Sequence, residues 1–185
     1  MESYVQMAVR TGTGKAAVQG HVDQLAANGL DLVSVSNSPR ERPLCEPWEG
    51  KVLSIGGTVA GSIERPSVTS DDMVKVVVAG TLDQARAAGF QHPNCRHSVS
   101  AYLPGATRLP EVTAEPDGYV DQQRQRAIER SIRQRKTRSA IALDGSARAT
   151  AEGKVKEWQV EMRRHMEAHP DLKRQSAREQ VGKAR

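Results

Sequence analysis

Gln91-His92-Pro93-Asn94-Cys95-Arg96-His97 places two histidines, a cysteine, an arginine and a proline within seven residues. It follows a short helical pattern closed by Gly89 and precedes an alternating run from Ser98 to Tyr102. The second of the chain's 2 cysteines lies upstream, in Pro43-Leu44-Cys45-Glu46-Pro47-Trp48-Glu49-Gly50-Lys51. Both stretches read as short, proline-flanked loops beside strand-like runs. The chain around them reads either as the scaffold that brings the two loops together or as a basic helical tail.

Working outward, residues 1 to about 28 carry a helical period. Val5, Val9, Ala16, Val22, Leu25 and Ala26 share a broad apolar face, a break is expected near Gly12 and Gly14, and Asn28-Gly29 is a stop. Asp31–Ser36 and Lys51–Ile55 alternate with β-branched residues and predict strands. Residues 58–72 are polar, contain a proline and are expected to form a loop, with a short strand at Lys75–Val78. Leu82–Ala88 predicts a short helix capped by Thr81, and Ser98–Tyr102 the last strand.

The expected class is therefore α+β: an N-terminal helix, a small, mostly antiparallel sheet with a short helix, then an extended helical C-terminal region. The expected division is a head at 1–103, a proline-containing linker at 104–118 and a basic helical tail at 119–185. Within the tail, a break at Asp144-Gly145-Ser146 separates two helices. Val155, Trp158, Met162 and Met166 lie on one stripe of the second, and Asp171 is positioned to cap a short final helix.

Composition bounds the function. The chain has 185 residues, 37% hydrophobic and 3% aromatic, enough for one domain with a modest core or a small domain plus an extension. Residues 1–116 carry 10 Lys/Arg against 12 Asp/Glu, and residues 117–185 carry 17 against 10. A near-neutral head with a basic tail points to double-stranded DNA, bound without sequence preference, or to a solvated helix face. The nucleic-acid candidates are Arg124, Arg126, Arg130, Arg133, Arg135, Lys136 and Arg138. No apolar run approaches the roughly 18 residues of a membrane span, no secretory signal is visible, and two distant cysteines do not make a disulfide framework.

Cys45, His92, Cys95 and His97 are residue types that hold zinc tetrahedrally, and such a shell would be structural, with no open position for water. Zinc would suit a small sheet with few aromatics, because metal binding supplies folding free energy. Two alternatives stand beside it. Cys95 is a nucleophile activated by a neighbouring imidazole, in a zinc- or thiol-dependent hydrolase. Or the cysteines are small buried groups, and the histidines and Arg96 brace the loop.

The two cysteine stretches, Leu44–Val52 and Gly89–Ser98, resemble the phage minor capsid protein 2 family, which is loosely related to Mu F-type head morphogenesis proteins. Gln123–Arg133 with Lys136, Lys154–Gln159 and Arg174–Glu179 resemble that family's later charged segments. The resemblance implies a non-enzymatic structural or assembly protein of a tailed-phage or prophage head, with portal or capsid proteins as partners. It further implies a place inside the capsid or at the portal vertex, and the bacterial cytoplasm during assembly. Family members carry a longer region before the segment like Tyr4–Thr11, so the chain is expected to be a shortened version or a separate piece.

Overall fold

A computed structural model describes residues 2–40, 42–57, 60–93, 95–112 and 118–182. The chain separates into two compact units, Met1–Glu115 and Pro116–Arg185.

The first unit opens with helix α1, Glu2–Ala27. It runs unbroken through Gly12 and Gly14, where the sequence predicts an interruption. Added β-carbons there would meet nothing within 4 Å and neither glycine has a positive φ, so they stay helical and no close packing requires them to be glycine. Val18, Val22 and Leu25, on one stripe, pack against the sheet, while Tyr4, Val5 and Val9 are exposed. Gly29, at φ 74°, ends the helix.

Strands β1 (Leu32–Val35), β2 (Val52–Ser54), β3 (Gly61–Pro66), β4 (Met73–Thr81) and β5 (Val99–Ala101) form one sheet in the order β3-β4-β2-β1-β5. All neighbours are antiparallel except β2 and β4. Helix α2, Leu82–Ala87, follows β4 without a loop. Thr81 caps it in a reciprocal box: its hydroxyl accepts from the Gln84 N–H at 3.0 Å, and Gln84 Oε1 accepts from the Thr81 N–H at 2.9 Å.

Strand β3 corrects the expectation of a loop across 58–72; residues 58 and 59 lie outside the described residues. As an edge strand it buries only one face, and that in part: Ile63 packs on the Leu32, Val52, Val76 and Val78 cluster, too little apolar content to mark a strand by alternation. Its pairing comes from a hairpin with β4, Ser62 opposite Val77 and Glu64 opposite Lys75. Pro66 sits at its end, where the missing N–H costs no ladder bond.

Strand β1, an interior strand between β2 and β5, is buried on both faces. Val33 and Val35 meet Leu53, Val99, α1, α2 and Phe90 on one side, while Leu32 joins Val52, Val76 and Val78 on the other. Trp48 packs against the first cluster, with its ring 3.3 Å from where a β-carbon on Gly80 would sit.

The second unit is a helical hairpin, α3 (Gly118–Ala140) and α4 (Gly145–Ala168). Asp144 caps α4 by accepting from the Ala147 N–H at 2.7 Å, so the break falls at residues 141–144, slightly before the expected one, with Gly145-Ser146 already helical. Ile128, Ile132 and Met162 are fully buried, flanked by Val155, Trp158 and Met166. Beyond His169 the chain turns back along α3 and ends in a short 3-10 turn, Ser176–Glu179, in place of the expected final α-helix. Gln125 donates to the Lys173 carbonyl at 2.9 Å and Arg133 to the Arg178 carbonyl at 2.8 Å. Arg174 clasps Glu179 through both oxygens, at 2.7 and 2.8 Å. Among the described residues, no helix is long and apolar enough to cross a membrane.

Truncating Ile132 to Ala should cost the second unit about 2–5 kcal/mol, since the side chain is fully buried. Trp158 fluorescence in a Trp48→Phe background would report that unit alone. A second expectation concerns Glu129, buried beneath the returning segment. Burial raises its carboxyl above the usual range, although Arg126, Arg133 and Arg130 pull the other way. A carboxyl raised in the folded state binds its proton more tightly there than when unfolded. Its contribution is therefore fully present at low pH and is lost as pH rises through the raised value. The stability of Glu129→Gln relative to the parent should accordingly increase between about pH 4 and pH 7. A difference that is flat or falls with pH would contradict the assignment.

Candidate metal centre

The pairing of β1 positions the site. At its C-terminal end Ser34 lies opposite Val52 on one side, and Val35 lies opposite Val99 on the other. The Val35 N–H donates to the Lys51 carbonyl and the Ser36 N–H to the Ser98 carbonyl, both at 3.0 Å. The loop entering β2 and the loop entering β5 are thus pinned to the same end of the sheet.

The first loop is a tight hook. The Cys45 N–H donates to the Arg42 carbonyl at 2.8 Å and the Trp48 N–H to the Cys45 carbonyl at 2.9 Å, closing a 3-10 turn over Glu46–Trp48. Glu49 then leaves in extended conformation, and Gly50 turns the chain at φ 63°. That position needs glycine, because a β-carbon would lie 2.5 Å from Val112 Cγ2. The turn points Cys45 and Glu49, four residues apart, into the same buried space.

The second loop leaves α2 through Gly89 and passes Gln91 at φ 59°, a conformation that non-glycine residues rarely adopt. The Gln91 N–H serves the Cys45 sulfur, and the His97 N–H serves the Cys95 sulfur. Cys95 and His97, two residues apart, complete the cluster.

Cys45 Sγ is 3.8 Å from Cys95 Sγ, and Cys95 Sγ is 3.2 Å from His97 Nδ1. On its far side, His97 Nε2 hydrogen-bonds Glu49 Oε1, with both side chains almost wholly removed from solvent. Phe90 lies against the His97 ring at 5.8 Å between centroids.

The electrostatics follow from this chain of contacts. Its hydrogen bond with Cys45 and the one with His97 pull the Cys95 thiol down to about 4, against the opposing effect of burial. Cys45 moves the other way, raised by the bond to Cys95 and then by burial. Burial alone would lower His97, but its bonds to Cys95 and Glu49 outweigh that and raise it.

The donor set fits a metal. Cys45, Cys95 and His97 present two sulfurs and a ring nitrogen within 4.8 Å of one another. Two thiolates about 2.3 Å from a tetrahedral zinc lie about 3.8 Å apart, the sulfur–sulfur distance seen here. A disulfide would need about 2.05 Å. His92, the fourth residue the sequence suggests, is not in this group; its Nδ1 lies 2.8 Å from the Pro93 carbonyl. Glu49 was not among the sequence-derived candidates, because a glutamate between Trp48 and Gly50-Lys51 reads as a solvated charge. Its position four residues after Cys45 is the only signal that could have raised it.

The basic candidates of α3 divide by partner. Arg124 pairs with Glu161 at 2.8 Å, Arg133 holds the Arg178 carbonyl, and Lys136 reaches Gln180 at 3.4 Å. Arg126 and Arg135 are half-buried, while Arg130 and Arg138 are exposed.

These features define a small α+β unit with a cysteine/histidine hook, accompanied by a helical hairpin. The model for phage minor capsid protein 2 matches residues 1–167, and the chain belongs to that family. No curated protein and no solved structure matches it.

The opposed shifts of the two thiols give a chemical test. In reduced, metal-free protein near pH 6, iodoacetamide should label Cys95, whose thiolate is already formed, and spare the fully buried Cys45 until the chain unfolds. Peptide mass mapping after a short pulse reads this out. Equal labelling of both cysteines would contradict the paired geometry.

Proposed function

We infer that this protein is a structural component of a tailed-phage or prophage-derived head, a minor capsid protein binding portal or shell proteins from the capsid interior or portal vertex. Family membership across residues 1–167 carries the reading. Heads purified on density gradients from cells producing the phage should contain the chain in fixed proportion to the shell protein. A chain found only in the soluble, unassembled fraction would oppose this role.

The cysteine/histidine hook is read as a structural zinc site that staples the two loops. Cys45, Cys95 and His97 supply three donors, and His92 supplies the fourth on turning away from the Pro93 carbonyl. Zinc added back to metal-free protein should bind at one equivalent per chain and raise the melting temperature of the first unit. Cys45→Ser and Cys95→Ser should each abolish the increase. Sub-stoichiometric zinc in the parent would remove the metal and leave only packing.

A hydrolytic reading has one observation in its favour: Cys95, His97 and Glu49 line up as nucleophile, base and orienting carboxylate do. Cys45 supports the zinc reading over it: a second buried thiol 3.8 Å from the first supplies a further donor to a zinc ion, while a nucleophile–base–carboxylate line has no need of it.

The basic face of the second unit is read as a weak contact for packaged duplex DNA. Arg130, Arg135 and Arg138 are better placed for phosphates than Arg124, Arg133 and Lys136, which brace the hairpin. Affinity should fall with salt by about 0.9 log units per phosphate contact per log unit of salt, alike for two unrelated sequences. Replacing Arg130, Arg135 and Arg138 with Gln should weaken both equally. Binding that ignores salt would move the assignment to a protein partner.

A further inference from the structure

We propose that Glu49 is the outer-shell carboxylate of the metal centre, a positioning residue that holds His97 with its proton on Nε2 and presents Nδ1 as the metal-binding atom. The proposal rests on the zinc reading above and extends it to a residue that does not itself bind the ion.

Three observations carry it. First, the imidazole is engaged at both nitrogens: Nδ1 lies 3.2 Å from Cys95 Sγ, inside the donor cluster, and Nε2 meets Glu49 Oε1. A ring nitrogen that donates to a carboxylate must carry the proton, which leaves the lone pair on Nδ1. Second, the Glu49 side chain is 0% exposed and that of His97 4%. A carboxylate buried to that degree is costly unless paired and hydrogen-bonded, and the His97 ring is one partner the fold provides. Third, the local backbone aims it there. Glu49 ends the 3-10 turn that begins at Cys45, so one turn delivers both a thiolate donor and the carboxylate behind the histidine donor.

The chemistry is that of outer-shell support. Two thiolates neutralise a divalent zinc. The Glu49 charge then acts through the imidazole, making Nδ1 a stronger base and fixing the plane of the ring. Loss of such a partner typically weakens metal affinity about 10–100-fold. Glu49→Gln keeps an acceptor oxygen but removes the charge, and Glu49→Leu removes both.

The test uses the full chain loaded with cobalt(II) as a probe for zinc. Thiolate-to-cobalt absorption reports whether Cys45 and Cys95 are ligands, and competition with a chelator gives affinity. The parent should show the absorption. Glu49→Gln should keep it with affinity reduced about 10-fold, and Glu49→Leu with a reduction nearer 100-fold. A parent without the absorption overturns the zinc reading and this proposal with it. Parent and variants with equal affinity overturn the proposal alone. Should the variants misfold, nitrogen NMR of the parent decides: in cadmium-loaded protein His97 should show cadmium coupling at Nδ1 and a proton on Nε2. Coupling at Nε2 would overturn the assignment.

Discussion

The double pairing of β1 is the constraint on which the first unit depends. Its four residues, all buried, pair with β2 over Leu32–Ser34 and with β5 over Val33–Val35, and they fix where β2 and β5 begin. With Val35 tied to Lys51 and Ser36 to Ser98, the loops before those two strands must share one end of the sheet. A one-residue slip on either side would turn Val33 and Val35 out of the core shared with α1 and α2. It would also draw the two cysteine hooks apart. The same alternation that fills the core therefore holds Cys45 and Cys95 in register.

A small unit with one Phe and one Trp has little aromatic area to bury, and its core is mostly Val, Leu and Ala. The buried polar cluster is the compensating risk. Glu49 and His97 are desolvated together, beside two thiols of opposite tendency. Such a network is costly when half satisfied and rigid when complete. A cation between the sulfurs and Nδ1 would complete it, while Phe90 and Trp48 wall the surroundings with apolar surface.

Much of this was legible in the sequence where local pattern and tertiary demand agree. The β-branched runs of β1 and β2, the Thr81 cap and the Val155–Met166 stripe all appear where the periodicity places them. Cys45, Cys95 and His97 were legible as a group because all three are metal-ligating residue types in short loops beside strands. What escaped has a physical reason in each case. Strand β3 is an edge strand with a single apolar core contact, Ile63, so its partner more than its own pattern makes it a strand. The glycines of α1 suggest a break that the helix does not take. Glu49 is indistinguishable from a surface glutamate until the turn at Gly50 folds it inward. His92 has the right chemistry, but its ring faces a neighbouring carbonyl.

The second unit shows why a charge count is a poor guide to a binding face. Seven basic residues in 124–138 read as one electropositive cluster, yet the hairpin uses several of them for its own construction. Arg133 and Lys136 hold the returning C-terminal segment, and Arg124 is matched by Glu161. Glu129 and Glu179, both buried, draw in Arg178 and Arg174 from that same segment. Much of the excess positive charge is thus spent in holding the segment against α3. On α3 itself, Arg130 and Arg138 are exposed and Arg135 is half-exposed, and α4 adds further exposed basic residues such as Arg148, Lys156 and Arg163. Were a polyanion to bind there, separate exposed charges of this kind would suit repeated weak contact along a phosphate backbone more than the reading of a base sequence, which requires convergent donors.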